Sequence, residues 1–152
     1  IVQGGGYSLD QNGVSEVPED PPVINEFDAS RSNLRGTIAM AKLGGDPDSA
    51  TSQWFFNLAD NSANLDNQNG GFTVFGKVIA GMSAVDAIAD LERLACASPF
   101  GELPVTGQVS SCAQVTDSDL VLLNNVREIL KIEGRRADLE TLAGNWMSLQ
   151  LA

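Results

Sequence analysis

Three short apolar runs constrain this chain most. Thr37-Ile38-Ala39-Met40-Ala41, Gln53-Trp54-Phe55-Phe56-Asn57-Leu58 and Phe72-Thr73-Val74-Phe75-Gly76-Lys77-Val78 are each bounded by turn-forming residues, which reads as buried strand rather than helix. Gly44-Gly45-Asp46-Pro47-Asp48-Ser49 and Asn67-Gln68-Asn69-Gly70-Gly71 are the loops between them. After the third run, Ser83 is placed to cap a helix from Ala84 to Leu94, with Val85, Ile88, Ala89 and Leu91 at helical spacing. Residues 95–118 read as loop. Residues 119–132 carry the β-rich apolar run Leu120-Val121-Leu122-Leu123, followed by Val126 and Ile129, and that run reads as the last strand. Leu139, Leu142, Trp146 and Leu149 then recur at steps of three and four, which predicts an amphipathic helix or tail over 134–152 after a domain spanning 1–133.

The first 33 residues are a different kind of sequence. Gly4-Gly5-Gly6, Asn12-Gly13 and Pro18-Glu19-Asp20-Pro21-Pro22 break the chain into loop with brief strands, and six acidic residues precede the first basic one, Arg31. Acid dominates the whole chain: nine Lys plus Arg face twenty Asp plus Glu, a net charge of -11. Such a surface repels phosphate backbones and anionic headgroups, so nucleic acid and membrane partners are not expected. No apolar run reaches the roughly 18–20 residues of a membrane-spanning helix, so membrane insertion is not expected either. The absence of histidine removes Ser-His-Asp and Cys-His catalysis and imidazole-bound zinc.

Several local patterns fail as ligand motifs. Gly4-Gly5-Gly6 is followed by neither a dinucleotide nor a P-loop pattern. Asp60, Ser62, Asn64 and Asp66 alternate like a calcium loop, but Leu65 and Gly71 stand where that loop needs Gly and Glu, so a polar surface loop is the better reading. Cys96 and Cys112, with fifteen residues between them, are either a disulfide or two unpaired thiols. Two cysteines without histidine make a metal site improbable, and no metal or cofactor is expected.

The apolar group Met40, Ala41, Phe55, Leu65 and Phe72 would pass as ordinary core on its own. Its setting is more specific. Ile1-Val2-Gln3-Gly4-Gly5-Gly6, Gly36-Thr37-Ile38-Ala39-Met40-Ala41, Ser52-Gln53-Trp54-Phe55-Phe56, Leu65-Asp66, Phe72-Thr73-Val74-Phe75-Gly76-Lys77-Val78 and Gly81-Met82, in that order and spacing, resemble the cyclophilin family of peptidyl-prolyl cis-trans isomerases. Asn25-Glu26-Phe27 and Ala41-Lys42-Leu43-Gly44-Gly45-Asp46-Pro47 resemble its bacterial branch. The likeness runs from Ile1 to about Leu94 and more loosely to about Ile132.

The resemblance implies a mainly β fold, an eight-stranded antiparallel barrel with flanking helices, and rotation about X-Pro peptide bonds as the activity. That reaction needs no proton-transferring base, only a dry pocket, hydrogen-bond donors and a cation near the imide nitrogen. Carried over residue by residue, Ile1, Phe55 and Leu65 form the proline pocket, with Phe72 where other members have His or Tyr. Gln3 and Gln53 supply hydrogen bonds, and the backbone around Ala41, Lys42 and Leu43 holds the substrate's extended chain. Asn64 stands where many members have a rim Trp, a departure expected to weaken cyclosporin-type ligands.

The family's catalytic arginine precedes the Ile-Val-Gln motif, as do the first strands and first helix. Arg31 and Arg35 fall in segments matching other parts of the family. The chain is therefore expected to be the C-terminal part of a longer isomerase, with little activity by itself; the alternative is a partner chain that completes the barrel. Proline-containing polypeptides are the expected substrates. A non-catalytic proline-peptide binding or structural module is the rival function. A Cys96–Cys112 bridge, if formed, and an acid-rich, Lys-poor surface point to a periplasmic or secreted location, with the cytoplasm as the alternative.

Overall fold

The computed structural model describes residues 1–124. They divide between two compact units, Ile1–Ile79 and the chain from Ala80 onward. The sequence-predicted boundary at 133/134 and the amphipathic helix of 134–152 lie outside the described residues.

The first unit is built on an antiparallel sheet of four short strands. β1 (Val2–Gly4), β4 (Thr37–Met40), β5 (Trp54–Phe56) and β6 (Val74–Lys77) lie in the order β1-β5-β4-β6. The three apolar runs thus form β4, β5 and β6, three neighbouring strands of one sheet. β2 (Tyr7–Asp10) and β3 (Gly13–Glu16) form a separate hairpin, in which Gln11-Asn12 makes the turn and Gly13 pairs with Asp10. The register places Gln3 opposite Phe55 and Phe55 opposite Ala39. A bulge between Ile38 and Ala39 then brings Val74 opposite Ala39. Paired residues share a face, so Ala39, Phe55 and Val74 meet in one core, 0%, 2% and 7% exposed. The alternate residues Trp54 and Phe56 pack edge to face on the opposite side, ring centroids 5.0 Å apart.

The glycine triplet has a steric cause. Gly5 has a φ of 86°, and a Cβ there would lie 2.5 Å from the Ser52 carbonyl and 2.8 Å from the Trp54 indole nitrogen. These glycines let β1 lie against the Trp54 side chain.

Between β5 and β6, Asp60 and Asn64 are exposed, as the reading of a polar surface loop expects, and Asp66 is the one of the four alternating polar residues that departs from it. Ser62–Leu65 forms a helical turn, α1, and Asp66 immediately after it turns inward toward Ser32 and Asn33. Alternation of polar residues marks exposure only when nothing polar waits inside, and here two buried asparagines do.

The second unit corrects three sequence readings. The helix α2 spans Met82–Ala89, with Gly81 at its N-cap in the left-handed region, so Ser83 is not the cap. Val85 and Ile88 are its buried residues. It ends well before Leu94, because Glu92–Leu94 (β7) pairs antiparallel with Leu103–Val105 (β8), an element inside the stretch read as loop. Strand pairing overrides helical periodicity there, and Leu94 and Val105 are the buried residues of the two strands. The expected last strand, Leu120–Leu123, does not form: Leu120 makes an isolated bridge to Val105 and residues 121–124 form no strand.

Cys96 and Cys112 are disulfide-bonded, with Cα atoms 5.7 Å apart. The bond closes the connection that carries β8. No helix among the described residues is long and apolar enough to cross a membrane. A thiol titration under denaturing, non-reducing conditions should find no free thiol. Replacing both cysteines by serine should cost on the order of 3 kcal/mol of stability in urea melts, as expected for a loop of this length.

Candidate functional site

The site grows from the first unit's core toward solvent. Phe55 is central because β5 has paired strands on both sides, which buries its inward side chain. Phe72, at the entrance to β6, meets it edge to face at 5.7 Å. Ala41 and Leu65 complete the half-buried apolar wall around Ala39, Phe55 and Val74. Gln3 stands beside Phe55 on the neighbouring strand, and its Nε2 donates to Gln53 Oε1 at 2.8 Å. An apolar surface edged by a pair of carboxamides results.

Six of the sequence-derived site residues therefore come together: Gln3, Ala41, Gln53, Phe55, Leu65 and Phe72. Ile1 lies on the Gln3 face of β1 by strand alternation but is 57% exposed. Leu43 is 69% exposed and Asn64 is also exposed, so neither forms part of the apolar wall. Two N–H groups of the segment around Lys42 have partners within the chain. The Ala41 N–H donates to the Gln53 carbonyl, and the Leu43 N–H donates to Ser49 Oγ.

Beneath the wall runs a polar network that sequence reasoning missed. Asn33 and Asn57 are fully buried. Asn57 Nδ2 donates to Asn33 Oδ1 at 3.1 Å and to Thr37 Oγ1 at 2.9 Å, while its Oδ1 accepts from Asn61 Nδ2 at 2.7 Å. Asn33 Nδ2 donates to Asp66 Oδ1 and to the Phe72 carbonyl, at 2.8 and 3.0 Å. The Phe72 N–H donates in turn to the Leu65 carbonyl at 2.9 Å. Every donor and acceptor of the two asparagine side chains is used, which makes their burial tolerable. The one sequence signal was Asn57 itself, a polar residue inside an apolar run.

Asp66 anchors this network. Burial alone raises its carboxyl pKa, but hydrogen bonds from the Ser32 hydroxyl, the Asn33 side chain and the Asn33 N–H outweigh it and hold the group below the ordinary aspartate value. On the opposite side, the Lys42 ammonium donates to the Asn69 and Gly71 carbonyls at 2.8 and 2.6 Å and lies 4.8 Å from the Phe72 ring centroid. Burial draws its pKa down, and the Asp48 carboxylate acts the other way. Among the described residues no cluster of His, Cys, Asp or Glu could hold a metal.

The sequence of this chain matches a known family. The family model described as cyclophilin type peptidyl-prolyl cis-trans isomerase/CLD matches residues 1–108. Peptidyl-prolyl cis-trans isomerase A of Dickeya dadantii is 48% identical over 94 residues, covering 60% of this chain and 47% of that protein. The peptidyl-prolyl cis-trans isomerase of Acinetobacter baylyi is 45% identical over 92 residues, covering 60% of this chain and 47% of its own length. Peptidyl-prolyl cis-trans isomerase B of Escherichia coli is 37% identical over 92 residues, 58% of this chain and 54% of that one. The chain belongs to the cyclophilin-type peptidyl-prolyl cis-trans isomerase family, and it spans about half the length of the curated relatives it matches.

Two substitutions test the architecture of the site. Because the folded-state pKa of Asp66 is depressed, its contribution is complete above about pH 4, where unfolded aspartates titrate, and is lost as pH falls through the folded value. Asp66→Ala should cost roughly 1–2 kcal/mol in urea melts at pH 7, after allowance for its partial exposure, and clearly less at pH 2. Gly71 has a φ of 77°, and a Cβ there would overlap the Phe27 ring. Gly71→Ala should therefore destabilise by about 2 kcal/mol or more, read as a lowered thermal midpoint.

Proposed function

We propose that the protein carrying this chain accelerates cis-trans rotation about X-Pro bonds in proline-containing polypeptides and so assists their folding. The observation that carries this reading is the apolar wall of Phe55, Leu65, Phe72 and Ala41 with the Gln3–Gln53 carboxamide pair at its edge. The uncatalysed barrier is about 18–20 kcal/mol because amide resonance must be lost. An apolar wall suits a proline ring, and carboxamide donors suit the carbonyl beside it. Interactions that favour the twisted imide over both planar isomers lower the barrier without nucleophile or base. A cation near the imide nitrogen is the remaining requirement, which the family resemblance assigns to an arginine preceding the Ile-Val-Gln motif.

A protease-coupled proline-peptide assay on the complete gene product tests this. Acceleration over the uncatalysed rate is expected. Gln3→Ala, at an exposed position, should lower kcat/KM about tenfold with the fold intact, equivalent to about 1.4 kcal/mol of transition-state stabilisation. A folded gene product that binds the peptide without accelerating it would instead establish a binding module. The Cys96–Cys112 bond supports an oxidising, periplasmic or secreted location. Fractionation finding the protein with reduced thiols in the cytosol would refute that location.

A further inference from the structure

The loop before Phe72 has an unusual backbone. Asn69, Gly70 and Gly71 are all left-handed, with φ of 51°, 75° and 77°. Such a run is unfavourable for the one residue that carries a Cβ and is held only where its surroundings over-determine it. Each of its three carbonyls is captured by a side chain from elsewhere. Lys42 Nζ takes those of Asn69 and Gly71 at 2.8 and 2.6 Å, and Asn25 Nδ2 takes that of Gly70 at 2.8 Å. Asn69 Nδ2 reaches back to the Leu43 carbonyl at 2.9 Å, tying the loop to the chain neighbour of Lys42.

Phe72 follows directly. Its ring contacts the Lys42 ammonium, 4.8 Å from its centroid, and is edge to face with buried Phe55. A cation at this distance is attracted by the ring quadrupole, the more so when partly removed from water. The same ammonium therefore holds the backbone that delivers Phe72 and the ring itself.

We propose that Lys42 is a positioning residue of the pocket: its ammonium occupies the carbonyl cup of the 69–71 loop and thereby sets Phe72 as the outer aromatic wall. The inference rests on the reading of the wall as a proline site. Charge and donors are both needed, so a cation of the same reach serves and an apolar side chain of similar length does not. A wall that holds the proline ring equally in ground and transition states acts on KM more than on kcat.

The test uses the complete gene product, a proline tetrapeptide substrate, and the variants Lys42→Met and Lys42→Arg. Lys42→Met should raise KM threefold or more with kcat changed less than twofold, and should shift the aromatic carbon–proton resonances of Phe72. Lys42→Arg should recover most of both effects. A folded Lys42→Met with unchanged KM and unchanged Phe72 resonances overturns the proposal, whatever its thermal midpoint. Should Lys42→Met not fold, Lys42→Gln carries the same readouts. If the unaltered protein shows no turnover, the isomerase reading falls by itself, and the Phe72 resonances alone decide for or against the clamp.

Discussion

The buried hydrogen-bond network of Asn33, Asn57 and Asp66 is the constraint on which the rest of the first unit depends. Asn57 directly follows β5, Thr37 begins β4, Asn61 leads into α1, and Asp66 and Phe72 flank the approach to β6. Two asparagine side chains thus tie the start of β4 to the chain that leaves β5 and to the connection that leads into β6. In a low-dielectric interior such a network is worth having only when complete, since each orphaned group costs about as much as several satisfied ones contribute. Its completeness gives the short strands, three or four residues each, a definite geometry that their limited ladders alone would not supply.

The apolar wall inherits that geometry from below and from the side. Asn33 holds the Phe72 carbonyl, and Leu65 is bonded to the Phe72 N–H, so the wall's two flanking residues are fixed through their backbones. Phe55 is fixed by pairing on both sides of β5. The loop carrying Phe72 has its carbonyls turned toward Lys42 and Asn25, a polar device at the rim of an otherwise apolar surface. Such preorganisation suits a reaction whose only demand is a shaped environment around a twisting bond.

Much of the sheet and part of the site were legible in the residue order. The runs around Ala39, Phe55 and Val74 are apolar and bounded by turns, and their motif order pointed to the family before any contact was visible. The polar network was not legible, because Asn and Asp in loops are usually solvated and burial depends on what faces them. Helical spacing from Val85 to Leu91 was real, yet the helix stops at Ala89 because Glu92–Leu94 finds its strand partner in Leu103–Val105. Local periodicity carries no information about that distant partner.

By itself, then, the sequence determined the strand-forming runs, the acidic, histidine-free chemistry and the family to which the chain belongs. Those properties reside in single residues and short spacings, where side-chain volume, branching and charge act locally. Only the tertiary structure decided that Asp66 turns inward, that Cys96 bonds Cys112, and that Lys42 serves the Phe72 loop. Each of these joins groups more than fifteen residues apart, and whether a buried polar group meets its partner is settled by chain crossings in space.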